Sequence, residues 1–277
     1  MTRQLRPRCR AAWLAPALLV QEPVNRLISA ALLLLVACAP ASQGDDADSD
    51  EGALGGTGTA GGATVLPNAI HWVRNSAEYQ ASVRQAYRLA AATVDATVAR
   101  DHLAAGTWGV VVDADETIVD NSGYNKERAF SAEGSTSSSW DTYVRSKQGK
   151  AIGPALAFLD KVRGAGGRVF VVTNRGTDHC PSTEENLRAI GVHYDAILCK
   201  GALESDKNGR FKAIEAGRSP SPFPATKVVV YVGDNIQDFP DLGQDAKRDE
   251  AKLGEFGGRF VMLPNPMYGS WEKLARD

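Results

Sequence analysis

Between residues 76 and 100, apolar side chains recur every three or four positions, at Tyr79, Val83, Ala86, Tyr87, Ala90, Val94 and Val98. That period puts them on one face of a long helix, and Ser76 stands where its N-cap belongs. The pattern then changes. Trp108-Gly109-Val110-Val111-Val112 is an unbroken apolar run, as expected of a strand buried on both faces of a parallel sheet. Similar runs at Arg168 to Thr173, Ala196 to Leu198, Val228 to Val232 and Phe260 to Leu263 predict further strands, and helical patterns at Pro154 to Arg163, Ser182 to Ile190 and Gly209 to Ala216 fall between them. This alternation predicts an α/β fold, a doubly wound parallel sheet with an added N-terminal helical segment. Ligands of such sheets bind at the carboxyl ends of the strands, and the polar residues gather there.

The N-terminal stretch reads differently. Arg3, Arg6, Arg8, Arg10 and Arg26 precede an apolar segment from Leu27 to Ala37, which ends at Cys38. This is the layout of an export signal, and the apolar run is too short to span a bilayer. Leu35-Val36-Ala37-Cys38 is similar to the bacterial lipobox, in which the Cys receives diacylglycerol and becomes the new N-terminus. The expectation is a lipoprotein signal peptide over residues 1–38, lipidation at Cys38, and an exported chain held by lipid to the cell envelope, with Ala39 fitting the outer membrane. A plain cleaved signal with an incidental Cys is the other reading. Residues 39–67 are rich in Asp, Ser and Gly and cannot bury much apolar surface, which predicts a disordered tether. Residues 68–277 are the expected folded domain.

Composition narrows the partners. The chain of 277 residues is 43% hydrophobic and 23% charged, with a formal net charge of −2. No bulk positive charge favours a nucleic acid polymer or an anionic membrane surface, whereas a small anionic substrate can be held by local charge. Of the four cysteines, Cys180 and Cys199 fall in the exported domain. They are either a disulfide or two separate buried thiols.

The first strand runs into Asp113-Ala114-Asp115-Glu116-Thr117. In phosphoryl transfer, one carboxylate attacks phosphorus while a second acid protonates the leaving alkoxide and later activates water. Asp113 and Asp115 suit those roles. An isolated Asp-x-Asp turn is common without chemistry, so the assignment rests on the other strand ends. The second strand ends near Thr173, whose hydroxyl can hold a phosphoryl oxygen, and the fourth ends in Gly233-Asp234-Asn235-Ile236-Gln237-Asp238. Asp113, Asp234 and Asp238, with the backbone carbonyl of Asp115, are the oxygen ligands expected for Mg²⁺. A positively charged side chain is also expected near the transferring group. Of Lys200, Lys207, Arg210 and Lys212, Lys207 is preferred because it opens a helix at the right point in strand order.

These residues carry a resemblance. Val111 to Tyr124, with Asp-x-Asp-Glu-Thr followed by Asn and Tyr, resembles the first signature of the class C nonspecific acid phosphatases of the haloacid dehalogenase superfamily. Gly233-Asp234-Asn235-x-x-Asp238-Phe239 resembles the second. The likeness extends to Trp72, Ser76 to Tyr79, Val172-Thr173-Asn174-Arg175, Lys207-x-x-Arg210-Phe211, Leu263-Pro264-Asn265 and Tyr268-Gly269-x-Trp271. It implies an exported, often lipidated, Mg²⁺-dependent hydrolase of phosphomonoesters, nucleoside monophosphates among them, without a large cap domain. It also implies Asn174 and Arg175 on the substrate side. About sixty residues from Asp113 to Thr173 and about thirty from Thr173 to Lys207 are likewise too few for a sizeable inserted domain. Selectivity in an open site then falls to aromatic rings at the rim, Tyr124, Trp140 and Tyr268, at about 1–3 kcal/mol per stacked base. Core packing is the competing role for Tyr124. The sequence departs from the family at Ala114 and in the serine-rich stretch from Glu133 to Ser139. The alternative functions are a phosphotransferase of the same superfamily and a non-catalytic surface-binding lipoprotein.

Overall fold

The computed structural model describes residues 64–276. The expected signal peptide, the Cys38 lipidation site and residues 39–63 of the tether lie outside the described residues. Two helices come first, α1 (Asn68–Asn75) and α2 (Ala77–Arg100). Ser76 separates them and caps the second, its hydroxyl accepting a hydrogen bond from the Tyr79 amide at 3.0 Å. α2 buries Tyr79, Val83, Ala86, Tyr87, Ala90 and Val94, the stripe that its periodicity requires. None of the helices among the described residues is long and apolar enough to cross a membrane.

The chain then forms β1 (Trp108–Val112), β2 (Val119–Asp120), α3 (Ser122–Phe130), α4 (Ser137–Ser146), β3 (Lys150–Ala151), α5 (Gly153–Gly164), β4 (Arg168–Gly176), α6 (Cys180–Ala189), β5 (Ala196–Lys200), α7 (Asn208–Ala216), β6 (Lys227–Gly233) and β7 (Phe260–Met262). The main sheet has the order β5-β4-β1-β6-β7, and every neighbouring pair is parallel. Side chains alternate between two apolar layers, as the period of two along a strand demands. Val110 and Val112 of β1, with Val169 and Val171 of β4, pack with α2 and α5, while Val111, Phe170 and Val172 pack with Phe211 and Ile214 of α7. In β6 the consecutive Val229 and Val230 both join the first layer, because the β1–β6 register slips between Gly109 and Val110.

The strands and helices expected from periodicity are present. β4 runs beyond Thr173 to Gly176, so Asn174 and Arg175 are carried on a strand. Between β1 and α5, helices α3 and α4 and the antiparallel β2–β3 pair form a small insert, in keeping with the absence of a large cap. The insert has its own apolar cluster of Tyr124, Trp140 and Val144, with Tyr143 packed against it. Trp140 is only 6% exposed, which corrects the expectation of a ring on the surface. Cys180, at the start of α6, and Cys199, on β5, form a disulfide with Cα atoms 6.1 Å apart.

Candidate active site

Asp113 extends the β1 ladder, its amide donating to the Val232 carbonyl at 2.9 Å. The chain then folds back, with the Ile118 and Val119 amides both donating to the Ala114 carbonyl. Glu116 sits in this turn at a left-handed φ of +54°. Ala114 is fully buried beneath the loop, so the small residue that departs from the family pattern lies in the core.

Beside it, β6 ends at Gly233, and Asn235 caps a single 3-10 turn, Ile236–Asp238. The Asn235 amide donates to Asp238 Oδ2 at 2.8 Å, which turns that carboxylate back towards the strand end. A Cβ on Gly233 would lie 2.3 Å from Asp238 Cβ, so this approach requires glycine. Carboxylate oxygens of Asp113, Asp234 and Asp238 lie within 4.8 Å of one another.

Lys207, the residue preceding α7, is buried against this group. Its Nζ donates to Asp113 Oδ1 at 2.5 Å and to Asp238 Oδ1 at 2.6 Å. The other cation candidates are engaged differently. Lys212 pairs with Asp241 on the surface, and Arg210 ties β4 to β5, donating to the carbonyls of Thr173 and Leu198 and to Asn174 Oδ1. Asp234 accepts from two neutral donors, Asn265 Nδ2 at 2.8 Å and Thr117 Oγ1 at 3.3 Å. Loss of surrounding water, then the neighbouring carboxylates of Asp238 and Asp113, push the Asp234 carboxyl well above its usual range. Three close carboxylates with one ammonium leave excess negative charge, and their all-oxygen donor set fits a hard divalent cation. Asp113, Asp234 and Asp238 are therefore the side chains that could hold a metal.

Asp115 faces a second network. Arg175 donates to both of its oxygens, from Nε at 3.0 and 3.2 Å and from Nη2 at 2.7 Å, while Asn121 Nδ2 donates to Oδ1 at 2.6 Å. Asn121 also donates to Glu116, through its amide at 3.0 Å and Nδ2 at 3.1 Å, and Tyr268 donates its hydroxyl to the same carboxylate. Burial, then the charge of Asp115, push Glu116 up to about 8 against those donors. Thr173 is buried beside this network, and its Oγ1 accepts from the Arg175 amide at 3.1 Å.

Asp113, Lys207, Asp234 and Asp238 are thus brought together, with Asp115 two residues from Asp113 on the same loop. The remaining predicted substrate contacts are placed otherwise. Asn174 and Arg175 are engaged by Arg210 and Asp115. Tyr124 and Trp140 stack edge-on, with ring centroids 5.3 Å apart, and Tyr268 is buried with its hydroxyl on Glu116. All three rings are buried, Tyr124 and Trp140 in the cluster of the insert and Tyr268 against Glu116. Sequence reasoning left Glu116, Thr117, Asn121 and Asn265 without roles, although each stands inside or next to a quoted motif.

A parallel α/β sheet that gathers carboxylates and a buried lysine at the carboxyl ends of its strands defines a haloacid dehalogenase-type architecture. The profile of the HAD superfamily, subfamily IIIB (Acid phosphatase), matches residues 60–271, and the chain belongs to that family. It is similar to Acid phosphatase 1 of Solanum lycopersicum, at 26% identity over 159 residues, 57% of each chain. It is also similar to the Stem 28 kDa glycoprotein of Glycine max, at 24% identity over 159 residues, 57% of this chain and 58% of that one. The chain thus spans 57% and 58% of the lengths of these two relatives. Among solved structures it resembles the class C acid phosphatase from Bacillus anthracis, with a TM-score of 0.65 and 26% identity, covering 73% of this chain and 84% of that one. A tungstate-bound structure of the class C acid phosphatase from the same organism aligns with a TM-score of 0.64 and 25% identity, over the same shares of the two chains.

Proposed function

We propose that this protein hydrolyses small phosphomonoesters in two steps through a phosphorylated Asp113, with Mg²⁺ as the divalent ion. The observation that carries this reading is the convergence of Asp113, Asp234, Asp238 and Lys207 at one end of the sheet. In the first step an Asp113 oxygen bonds to phosphorus as the ester P–O bond breaks, and Asp115 gives its proton to the leaving oxygen. In the second, Asp115 takes a proton from water, whose oxygen attacks phosphorus and frees the Asp113 carboxylate. Lys207 offsets negative charge beside the nucleophile, and the Thr173 hydroxyl suits a phosphoryl oxygen. Mg²⁺, held by Asp113, Asp234, Asp238 and the Asp115 carbonyl, would neutralise the approaching phosphate and polarise its oxygens.

The class C acid phosphatase from Bacillus anthracis has a structure with tungstate bound. Tungstate is a tetrahedral oxyanion like phosphate, which supports the same ligand class here. The small size of the insert between β1 and α5 favours varied small substrates, and nucleoside monophosphates belong in the first panel tested. The arginines, apolar run and Cys38 of the N-terminal stretch support export and a lipid anchor in the cell envelope. Asp113→Asn tests the core of the reading. Its turnover of an aryl phosphate should fall by a factor on the order of 10⁴ or more, since an amide is a far poorer nucleophile. Chelation of divalent ions should abolish wild-type turnover, with recovery on added Mg²⁺. Full activity of the variant, or indifference to chelation, would contradict the proposal.

A further inference from the structure

Arg175 stands on the last turn-free residues of β4, held in place from several sides. Gly176 pairs with Lys200 of β5, the Thr177 amide donates to the Lys200 carbonyl at 3.1 Å, and the Cys180–Cys199 disulfide ties the following helix to the same strand. The guanidinium is 2% exposed and each of its nitrogens is engaged. Nε and Nη2 grip Asp115 side-on, Nη1 donates to Thr183 Oγ1 at 3.2 Å, and the Trp140 ring centroid lies 5.4 Å from the guanidinium carbon. Asn121 closes the other side of the carboxylate at 2.6 Å and is itself fixed by Tyr143, whose hydroxyl donates to Asn121 Oδ1 at 3.1 Å. A planar fork of this kind sets the plane of a carboxylate as well as its position.

We infer that Arg175 is a positioning residue that aims the Asp115 carboxyl at the leaving oxygen, and that it does not bind the phosphoryl group. The inference rests on the reading of Asp115 as the acid of the first step. Nε and Nη2 face Asp115, and turning them to a phosphoryl oxygen would leave that buried carboxylate without its cationic partner. On this account the buried aromatic cluster of the insert serves chemistry indirectly. Trp140 backs the guanidinium and Tyr143 backs Asn121, so the insert clamps the acid while the main sheet presents the nucleophile.

The two roles separate by leaving group. An alkoxide needs a proton as its P–O bond breaks, whereas dinitrophenolate departs without one, and kcat/KM reports this first transfer. For Arg175→Lys and Arg175→Gln we expect kcat/KM on glycerol phosphate to fall on the order of a hundredfold, with less than about a fivefold loss on 2,4-dinitrophenyl phosphate. Inhibition by inorganic phosphate should move by less than roughly threefold. Asp115→Asn should show the same leaving-group dependence, and Asp115→Asn/Arg175→Gln, which removes both buried charges, should be no slower than Asp115→Asn alone. Equal losses on both substrates would overturn the inference, as would phosphate inhibition weakened tenfold or more, or multiplicative losses in the double variant. If Asp115→Asn itself lacks leaving-group dependence, the acid assignment fails first, and the inference with it.

Discussion

Lys207→Met exposes the electrostatics of the site most sharply. The substitution keeps an unbranched chain in place and removes only the ammonium, which lies 2.5 Å from Asp113 and 2.6 Å from Asp238, with all three side chains at most 2% exposed. Removing one partner of a buried ion pair leaves an uncompensated charge, at a cost of about 3–5 kcal/mol. For a domain of roughly 200 residues that corresponds to a fall in Tm of about 6–20 °C. Calorimetry in metal-free buffer reads this directly. The double variant Lys207→Met/Asp113→Asn removes a charge from each side and should recover a large part of the loss, so the two changes should be clearly non-additive. On phosphoester turnover, Lys207→Met should lower kcat by about 10²–10³. A stability loss below about 1 kcal/mol, or strict additivity in the double variant, would refute the view that this lysine holds the site's charge together.

Three further outcomes follow from other parts of the structure. Gly233→Ala forces Cβ into Asp238, and titration calorimetry should show Mg²⁺ affinity reduced by about 10–100-fold, the range for disturbed support of a ligand; unchanged affinity would remove Asp238 from the ligand set. Glu116 is pushed up to about 8 from 4.5, so its contribution to stability is present below the lower value and lost as pH rises through the higher one. Thermal unfolding of the wild type should therefore weaken across that window, and Glu116→Gln should flatten the decline; a variant as pH-dependent as the wild type would contradict the assignment. The Cys180–Cys199 bond closes a separation of 19 residues, so Cys180→Ser should cost about 3 kcal/mol, and denaturant unfolding that shows no loss would count against the disulfide as a staple.

The architecture was legible because its signals are periodic. A buried parallel strand such as Trp108–Val112 has no polar relief, and α2 repeats its stripe over many turns. Lys207 could be selected from among its neighbours because strand order limits which segment reaches Asp113. The burial of Trp140 leaves no local mark in the sequence. The polar stretch before it holds Thr136 and Ser139, which form the capping box of α4, and polar caps at a helix start say nothing about which way the next residue points. The family resemblance puts Arg175 on the substrate side, and no one-dimensional pattern shows that Asp115, sixty residues earlier, meets it. The pairing of Cys180 with Cys199 likewise depends on β4 and β5 being neighbours in the sheet, which only the fold supplies.

The claim that Asp113 accepts the phosphoryl group is tested most directly by acid-quenching the enzyme during turnover of a ³²P-labelled phosphomonoester and mapping the label by peptide mass spectrometry. The account predicts a phosphorylated peptide containing Asp113, absent from Asp113→Asn and formed only when a divalent ion is present. Label on another residue, or undiminished labelling of the Asp113→Asn variant, would contradict it.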